Sequence, residues 1–486
     1  MKDHALIKLL KTFSGKEIKE FGEFISNSYF NKRKAVKQLY ELIRKYYPEF
    51  SGKGMEKEYI FKKLFPGKKY NESSISVLFH FLHDLSRRFI AIKNFESNKL
   101  EYDLSLESEL FKRKQSVNPW KILEKHLRSI DPSEHLSEEY YLLNHRLKYE
   151  AMFYNFQLNS GLYEKFLNKL DFQGIYMDFY YHFLIKSMRM YLNVLHTEKI
   201  YNKEYEKKHF EKLMLSILIE DYEDTPFIQI YYYLIKMLED RDHEKYYFKV
   251  KELLKKIPLA INIQDQSEIY INMQNYCKRR LAEGKLQFLR EEFDLLTRQL
   301  ESKTYLVNGN IHSIFYRTAV TIALRLDEHK WVSEFIVNFK DDLQEQFRES
   351  TFLYCSAQLE FYRKNYDKAS EMLSRLKLDE VYLKYESKIL QMMVYYETGF
   401  VESLLSALEA YRQFLQNNNM LPGVKKKFYL NFYKFLNKLV NITRKKDKSE
   451  IIKVRNEIAG EMSVNSKDWL LKKADEILIS VKERKN

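Results

Sequence analysis

Apolar residues recur along this chain with helical spacing, and toward the C-terminal third the spacing returns at a nearly constant interval. Val332, Phe335, Ile336 and Phe339 stand at i, i+3, i+4 and i+7, one face of a helix. The pattern comes back at Ala369, Met372, Leu373 and Leu376, and again at Leu404, Ala407, Leu408 and Tyr411. The offsets of 37 and 35 residues are those of helix–turn–helix units stacked into a solenoid.

The first hundred residues predict a different arrangement, a compact helical module. A helix is expected over His4 to Phe13. Ser14 and Glu17 then form an S-x-x-E capping box ahead of a face carrying Ile18, Phe21, Phe24 and Ile25. Asn31 is placed to cap a helix bearing Val36, Leu39, Tyr40 and Ile43. After the loop PEFSGKGM comes a short helix, EKEYIFKKLF, broken by Pro66-Gly67. Asn71 opens a long helix with Ile75, Leu78, Leu82, Leu85 and Phe89 on one side. A helical connector over 101–135 follows, with turns at Asn118-Pro119 and Asp131-Pro132. Beyond it, turn signals near Gly161, Gly174, Asp221 to Pro226, Asp240 to His243, Gly284, Asn308 to Asn310, Asp327 to Lys330, Lys364-Asn365 and Gly399 leave mostly helix-length intervals. No alternating run bounded by hairpin turns is found, so little β-structure is expected. The organisation read from the pattern is 1–100, a basic helical module; 101–135, a connector; 136–420, helix pairs; and 421–486, basic C-terminal helices.

Composition narrows the class. Only 12 glycines and 7 prolines occur in 486 residues, too few for the tight turns of a sandwich or a doubly wound sheet. Hydrophobic residues make up 45% of the chain, enough for a continuous core. Cys277 and Cys355 form no CxxC and no disulfide framework, which suits a reducing compartment. Charge interrupts the N-terminus before a signal-peptide core, and the apolar stretch at Leu213 to Ile219 is short for a membrane span. The expected location is cytoplasmic.

The net charge of +14 is concentrated at the ends. Residues 1–100 hold 21 Lys and Arg against 11 Asp and Glu, residues 421–486 hold 17 against 8, and the middle is slightly acidic. Basic ends point either to an anionic partner or to ordinary solvated faces. The runs Lys425-Lys426-Lys427 and Arg444-Lys445-Lys446-Asp447-Lys448 sit at loop-like boundaries and add little alone. An acidic middle also leaves room for self-association of a structural protein through its basic ends.

Within AQLEFYRKNYDKASEML, the positions Ala357, Tyr366 and Ala369 resemble the tetratricopeptide repeat, where a small residue, an aromatic and an alanine sit at the helix crossing. The usual glycine between the helices is replaced by Lys364. The next unit has that glycine, Gly399, with Leu404 in the alanine position. Leu289, Phe293 and Leu296 extend the pattern upstream, with Glu292 interrupting its apolar face. The resemblance covers 280–420. It implies an all-α fold whose first helices line a concave groove for a protein or peptide, with Tyr354, Gln358, Phe361, Met393 and Tyr396 facing it. The N-terminus, through SYFNKRKAVKQLYELI and FKKLFPGKKYN, resembles uncharacterised bacterial all-helical proteins, which implies no function.

No catalytic constellation assembles. Phosphate-cradling GK[ST] and GxGxxG motifs are absent, as are G-x-S-x-G and HExxH. Glu138-Glu139 and Asp341-Asp342 are sequence neighbours and diverge by about 100° on a helix. His80 and Asp84 share a helical face beside His83, and His83-Asp84 resembles the HD phosphohydrolase dipeptide. That family needs a further upstream histidine, and none lies between His4 and His80. No cofactor, metal site or catalytic residue is expected.

The chain therefore reads as all-α: an N-terminal helical module followed by a tetratricopeptide-like helical-hairpin solenoid, a non-enzymatic scaffold or adaptor. The rival is a nucleic-acid-binding regulator. In it, the helix–turn–helix pattern of Glu58 to Phe89 presents Lys68, Lys69, Tyr70, Asn71 and Ser73 to a groove, Arg87 and Arg88 meet phosphates, and RRFIAIKNFE supplies a wing strand.

Overall fold

The computed structural model describes residues 4–115, 119–129, 137–158, 171–201, 203–240, 242–256, 263–307, 309–377, 380–417, 423–445 and 447–483. The fold is all-α, with 23 α-helices among them. The only strands described there are Leu306–Val307 and Asn310–Ile311, which pair as a two-residue antiparallel ladder. The expected turns at Gly161 and Asp131-Pro132, Asn118, and Lys446 of the C-terminal run lie outside the described residues.

The chain divides into two compact units, 1–129 with 147–170, and 130–146 with 171–486. This division differs from the four segments read from the pattern. Residues 101–129 join the first unit and 423–483 join the second: the helix Lys99–Lys112 packs on Glu72–Ser97, and Gly423–Lys445 packs on Val401–Asn417. The helix Glu138–Leu158 is apportioned between the units.

In the first unit, α1 (Ala5–Leu10), α2 (Gly15–Ser26), α3 (Lys34–Ile43) and α4 (Lys57–Leu64) all pack on the long α5 (Glu72–Ser97). Helices α6 (Lys99–Lys112) and α7 (Pro119–Ser129) follow. The capping box forms as read: the Glu17 N–H donates to Ser14 Oγ at 3.2 Å, and the Ser14 N–H donates to Glu17 Oε2 at 2.8 Å. Asn71 caps α5, accepting from the Ser74 N–H at 2.9 Å. Asn31 does not cap α3. Its side chain accepts from the Arg33 N–H at 2.9 Å and so closes the preceding turn, leaving the helix to begin at Lys34. The expected wing strand is absent too: Arg87 to Glu96 continue α5, whose apolar face keeps its helical period through Phe89.

The second unit runs from α8 (Glu138–Leu158, through residue 146), α9 (Phe172–Tyr201), α10 (Lys208–Ser216), α11 (Pro226–Glu239) and α12 (Lys245–Lys256) to α23 (Lys467–Glu483). Gly174, expected at a turn, lies in the first turn of α9, where its N–H donates to Asp171 Oδ1 at 2.8 Å. From α13 (Ile263–Ala282) onward every helix packs on its successor: α14 (Gln287–Ser302), α15 (Ser313–Arg325), α16 (His329–Asn338), α17 (Glu345–Tyr362), α18 (Tyr366–Ser374), α19 (Val381–Glu397), α20 (Val401–Asn417), α21 (Gly423–Lys445), α22 (Lys448–Gly460) and α23. Helix α15 also packs on α17, and α17 on α19. A helix clasped on several sides must be apolar most of the way round, and α17 buries Leu353, Tyr354, Cys355, Ala357, Leu359 and Phe361. The repeated faces at Val332, Ala369 and Leu404 fall on α16, α18 and α20, each buried.

One backbone device recurs between paired helices. Gly284, Asp327, Lys364 and Gly399 all adopt positive φ, at 88°, 60°, 64° and 74°. At each, that residue's N–H reaches the carbonyl three residues back and the next N–H reaches five back, as in Lys364 to Phe361 at 2.9 Å and Asn365 to Glu360 at 2.8 Å. This is the Schellman closure, normally given to glycine because a Cβ is strained at positive φ. Lys364 thus holds the same backbone shape as Gly284 and Gly399.

Candidate functional site

A cavity of about 390 Å³ lies in the second unit. Its wall takes residues from α13, α14, α15, α17, α19 and α21, and is closed by Met462 to Trp469 at the start of α23. Leu281, Ile322, Ile389 and Leu390 supply apolar surface, and Tyr354, Tyr362, Phe428 and Trp469 supply rings.

Trp469 is held in place from two sides. Its indole N–H donates to Glu397 Oε1 at 2.7 Å, and Lys473 Nζ grips Glu397 Oε2 at 2.9 Å. The Trp469 ring meets Tyr396 edge-on at 5.3 Å. The C-terminal helix is therefore fastened to α19 by a buried lysine, a carboxylate and two aromatic rings.

Charges in the wall are mostly neutralised by one another. Arg317, only 4% exposed, forms a two-pronged pair with Glu380 at 2.7 and 2.9 Å, and its Nε lies 2.9 Å from Glu386. Burial works to raise the Glu380 pKa, yet the Arg317 guanidinium prevails and holds it below the ordinary value. Arg325 pairs with Asp468. Lys467 Nζ donates to the Ala459 carbonyl at 2.8 Å, and burial lowers its pKa. Gln358 donates to Thr321 Oγ1 at 3.2 Å.

Glu292 is the exception. It is fully buried on α14, and neither carboxylate oxygen has a hydrogen-bond partner among the described residues. Its nearest cation, Lys278 Nζ, is 3.8 Å away. Burial pushes the Glu292 carboxyl up to about 7, against the pull of Lys278 and Arg325.

Of the five residues expected to face a groove, Tyr354, Gln358 and Met393 line this cavity. Phe361 and Tyr396 do not. Phe361 turns into its own helix pair against Tyr366, with ring centroids 5.6 Å apart, and Tyr396 packs behind Trp469. Arg317, Glu386 and Trp469 were missed. Nothing local marks Arg317 as buried, and Trp469 lies 76 residues beyond Met393 in sequence. Glu292 did leave a sign: it is the polar break in the apolar face of Leu289, Phe293 and Leu296.

The basic N-terminal set is dispersed in role. Lys68, Lys69, Ser73, Arg87 and Arg88 are exposed. Tyr70 packs edge-on against Phe61 at 5.5 Å, Asn71 is occupied as the α5 cap, and Arg88 lies over the Phe30 ring at 5.1 Å. His80 Nε2 and Asp84 Oδ2 stand 3.3 Å apart on the exposed face of α5. Among the described residues no group of three or more His, Cys, Asp or Glu is placed to hold a metal, and no helix is long and apolar enough to cross a membrane. Of the C-terminal run Lys425-Lys426-Lys427, Lys427 pairs with Glu461 at 3.3 Å; the side chains of Lys425, Arg444 and Lys445 lie outside the described residues. Comparison with protein-family models, with curated proteins and with solved structures returned no match.

Proposed function

We propose that this chain is a non-enzymatic, tetratricopeptide-like solenoid that binds another protein by taking a peptide segment into the cavity of its second unit. The observation that carries this reading is the cavity's wall: α13, α15, α17, α19 and α21, the first helices of successive pairs, all contribute to it. Its rings and methionines offer large contact area at little conformational cost. The non-enzymatic part is supported by the thiols. Burial pushes Cys277 up to about 12 and raises Cys355 as well, so neither is a ready nucleophile.

The test is a selection of random twelve-residue peptides displayed on phage against the full chain, repeated with Thr318→Trp. Thr318 lines the cavity and is only half-buried, so an indole there fills the space without disturbing the core. Enrichment of a peptide family that Thr318→Trp no longer binds is the expected outcome. Peptides that bind the variant equally well sink the cavity as the docking place.

A second reading is nucleic-acid binding by the first unit. It is favoured by Lys68, Lys69, Arg87 and Arg88, which are exposed and make no ion pair among the described residues. Ser73 and Arg87 share one face of α5, about 21 Å apart along its axis. This reading expects binding to duplex DNA or RNA that weakens steeply with salt and with Lys68→Glu/Lys69→Glu. No mobility shift at low salt ends it.

A further inference from the structure

Resting on the cavity reading above, we propose that the partner segment is basic, and that one lysine or arginine of it is received by the carboxylate of Glu292. Every other charge in the wall already has an opposite charge or a carbonyl at hydrogen-bond distance, save Lys278: Arg317 has Glu380 and Glu386, Arg325 has Asp468, and Lys467 has the Ala459 carbonyl. Of the two cations that act on Glu292, Arg325 is engaged with Asp468, and the nearer, Lys278, stands 3.8 Å away, outside hydrogen-bond range. A fully buried carboxylate with no donor is costly, and its position is one where a leucine would continue the apolar face of Leu289, Phe293 and Leu296. The fold alone gives no reason for an acid there. A cation arriving from the cavity supplies one.

The surroundings suit such a guest. Lys278 is half exposed on a flexible stem and can yield its place to a partner's cation. Tyr354 and Trp469 line the same cavity and supply ring surface for the aliphatic stem of such a side chain. An anionic segment finds only Lys278 without a hydrogen-bonded partner of its own in this wall, and that lysine leans toward Glu292.

The experiment uses the phage-selected peptides, labelled and titrated by fluorescence anisotropy against the full chain, Glu292→Gln and Lys278→Ala. Replacing one basic residue of the peptide by norleucine is expected to weaken binding about tenfold or more. Glu292→Gln is expected to cause the same loss, and the two changes together no further loss. Lys278→Ala is expected to tighten binding several-fold, because the competing cation is gone. Selected peptides without lysine or arginine, or binding indifferent to Glu292→Gln, overturn this inference and leave the cavity reading standing if Thr318→Trp still abolishes binding. Should Glu292→Gln fail to fold, weaker binding by Lys278→Ala overturns it instead. No enrichment at all removes both readings.

Discussion

The helices of residues 4–97 and those of residues 263–483 are built on different terms. In the first, Ser86 is the only buried polar side chain among the described residues, and its hydroxyl donates to the His83 carbonyl at 2.7 Å. The core there is Leu6, Phe21, Tyr40, Phe79 and their neighbours, and the charges face outward. The second stretch buries Asp265, Arg280, Glu292, Arg317, Gln358 and Lys473 as well. Apolar burial specifies the first arrangement without help. In the second, ionised groups sit where hydrocarbon would serve stability at least as well. The difference teaches where a function that needs an interior is to be sought, and where one needing only a charged surface would sit.

The sharpest way to break that comparison is to remove Arg317. Arg317→Met keeps much of the volume and deletes the charge, leaving Glu380 and Glu386 without their shared counterion. Breaking a buried pair from one side costs about 3–5 kcal/mol. The same change at exposed Arg87 is expected to cost less than about 0.5 kcal/mol. Urea titration of both variants checks this. Equal small losses at the two positions would show that the buried charges of the second stretch are not energetically coupled.

Glu292 gives a smaller effect with a pH signature. An acid whose folded pKa lies above its unfolded one binds more protons in the native state, so stability falls as pH rises through the interval. Here the interval runs from the ordinary value of 4.5 to about 7. Lys278 and Arg325 face the group and pull the other way. The contribution is fully present below pH 4.5, and about 3 kcal/mol of it is gone by pH 8. Glu292→Gln is therefore expected to match the parent chain at pH 4.5 and to exceed its stability at pH 8. Asp265, pushed up to about 6 by burial, titrates in both chains and cancels from the difference. A Gln variant less stable than the parent at pH 8 would mean that the carboxylate is better compensated than its geometry shows.

In the first region the corresponding test is a cap. Ser14→Ala removes the hydroxyl that accepts from the Glu17 N–H, while the backbone N–H of residue 14 still donates to Glu17, and is expected to cost about 1 kcal/mol. The change is measurable as a lower thermal midpoint. Ser14 is also where the sequence was most legible, because a capping box is a contact between residues three apart, and short range is what a linear pattern records. The same holds for the faces at Val36, Ile75 and Val332. The cavity was legible only in part. The tetratricopeptide resemblance put five residues on a groove; Tyr354, Gln358 and Met393 line the cavity, whereas Phe361 packs on Tyr366 and Tyr396 on Trp469, because one helix serves both the cavity and its neighbours. Arg317 and Trp469 were out of reach for another reason. Their roles depend on Glu380 and Glu397, 63 and 72 residues away, and no periodicity encodes such a meeting. The wing strand failed because a basic, β-branched stretch continued a helix whose apolar face had not ended.

The smallest effect concerns the turns between paired helices, and there sequence and backbone disagree in an instructive way. Gly399 and Lys364 occupy equivalent turns with nearly the same φ, but only one is a glycine. A Cβ added at Gly399 meets nothing within 4 Å, so the cost of Gly399→Ala is the strain of positive φ alone, about 1 kcal/mol. Lys364 already carries that strain. Lys364→Gly releases it, offset in part by the greater freedom of glycine in the unfolded chain, and the net gain is expected to be about 0.5 kcal/mol. A pair of urea titrations, one variant losing stability and the other gaining it, would show that the two turns share one backbone requirement although only one of them carries a glycine. If Lys364→Gly instead destabilises, the Lys364 side chain contributes something at that turn that outweighs its strained φ, and the two turns are equivalent in shape only.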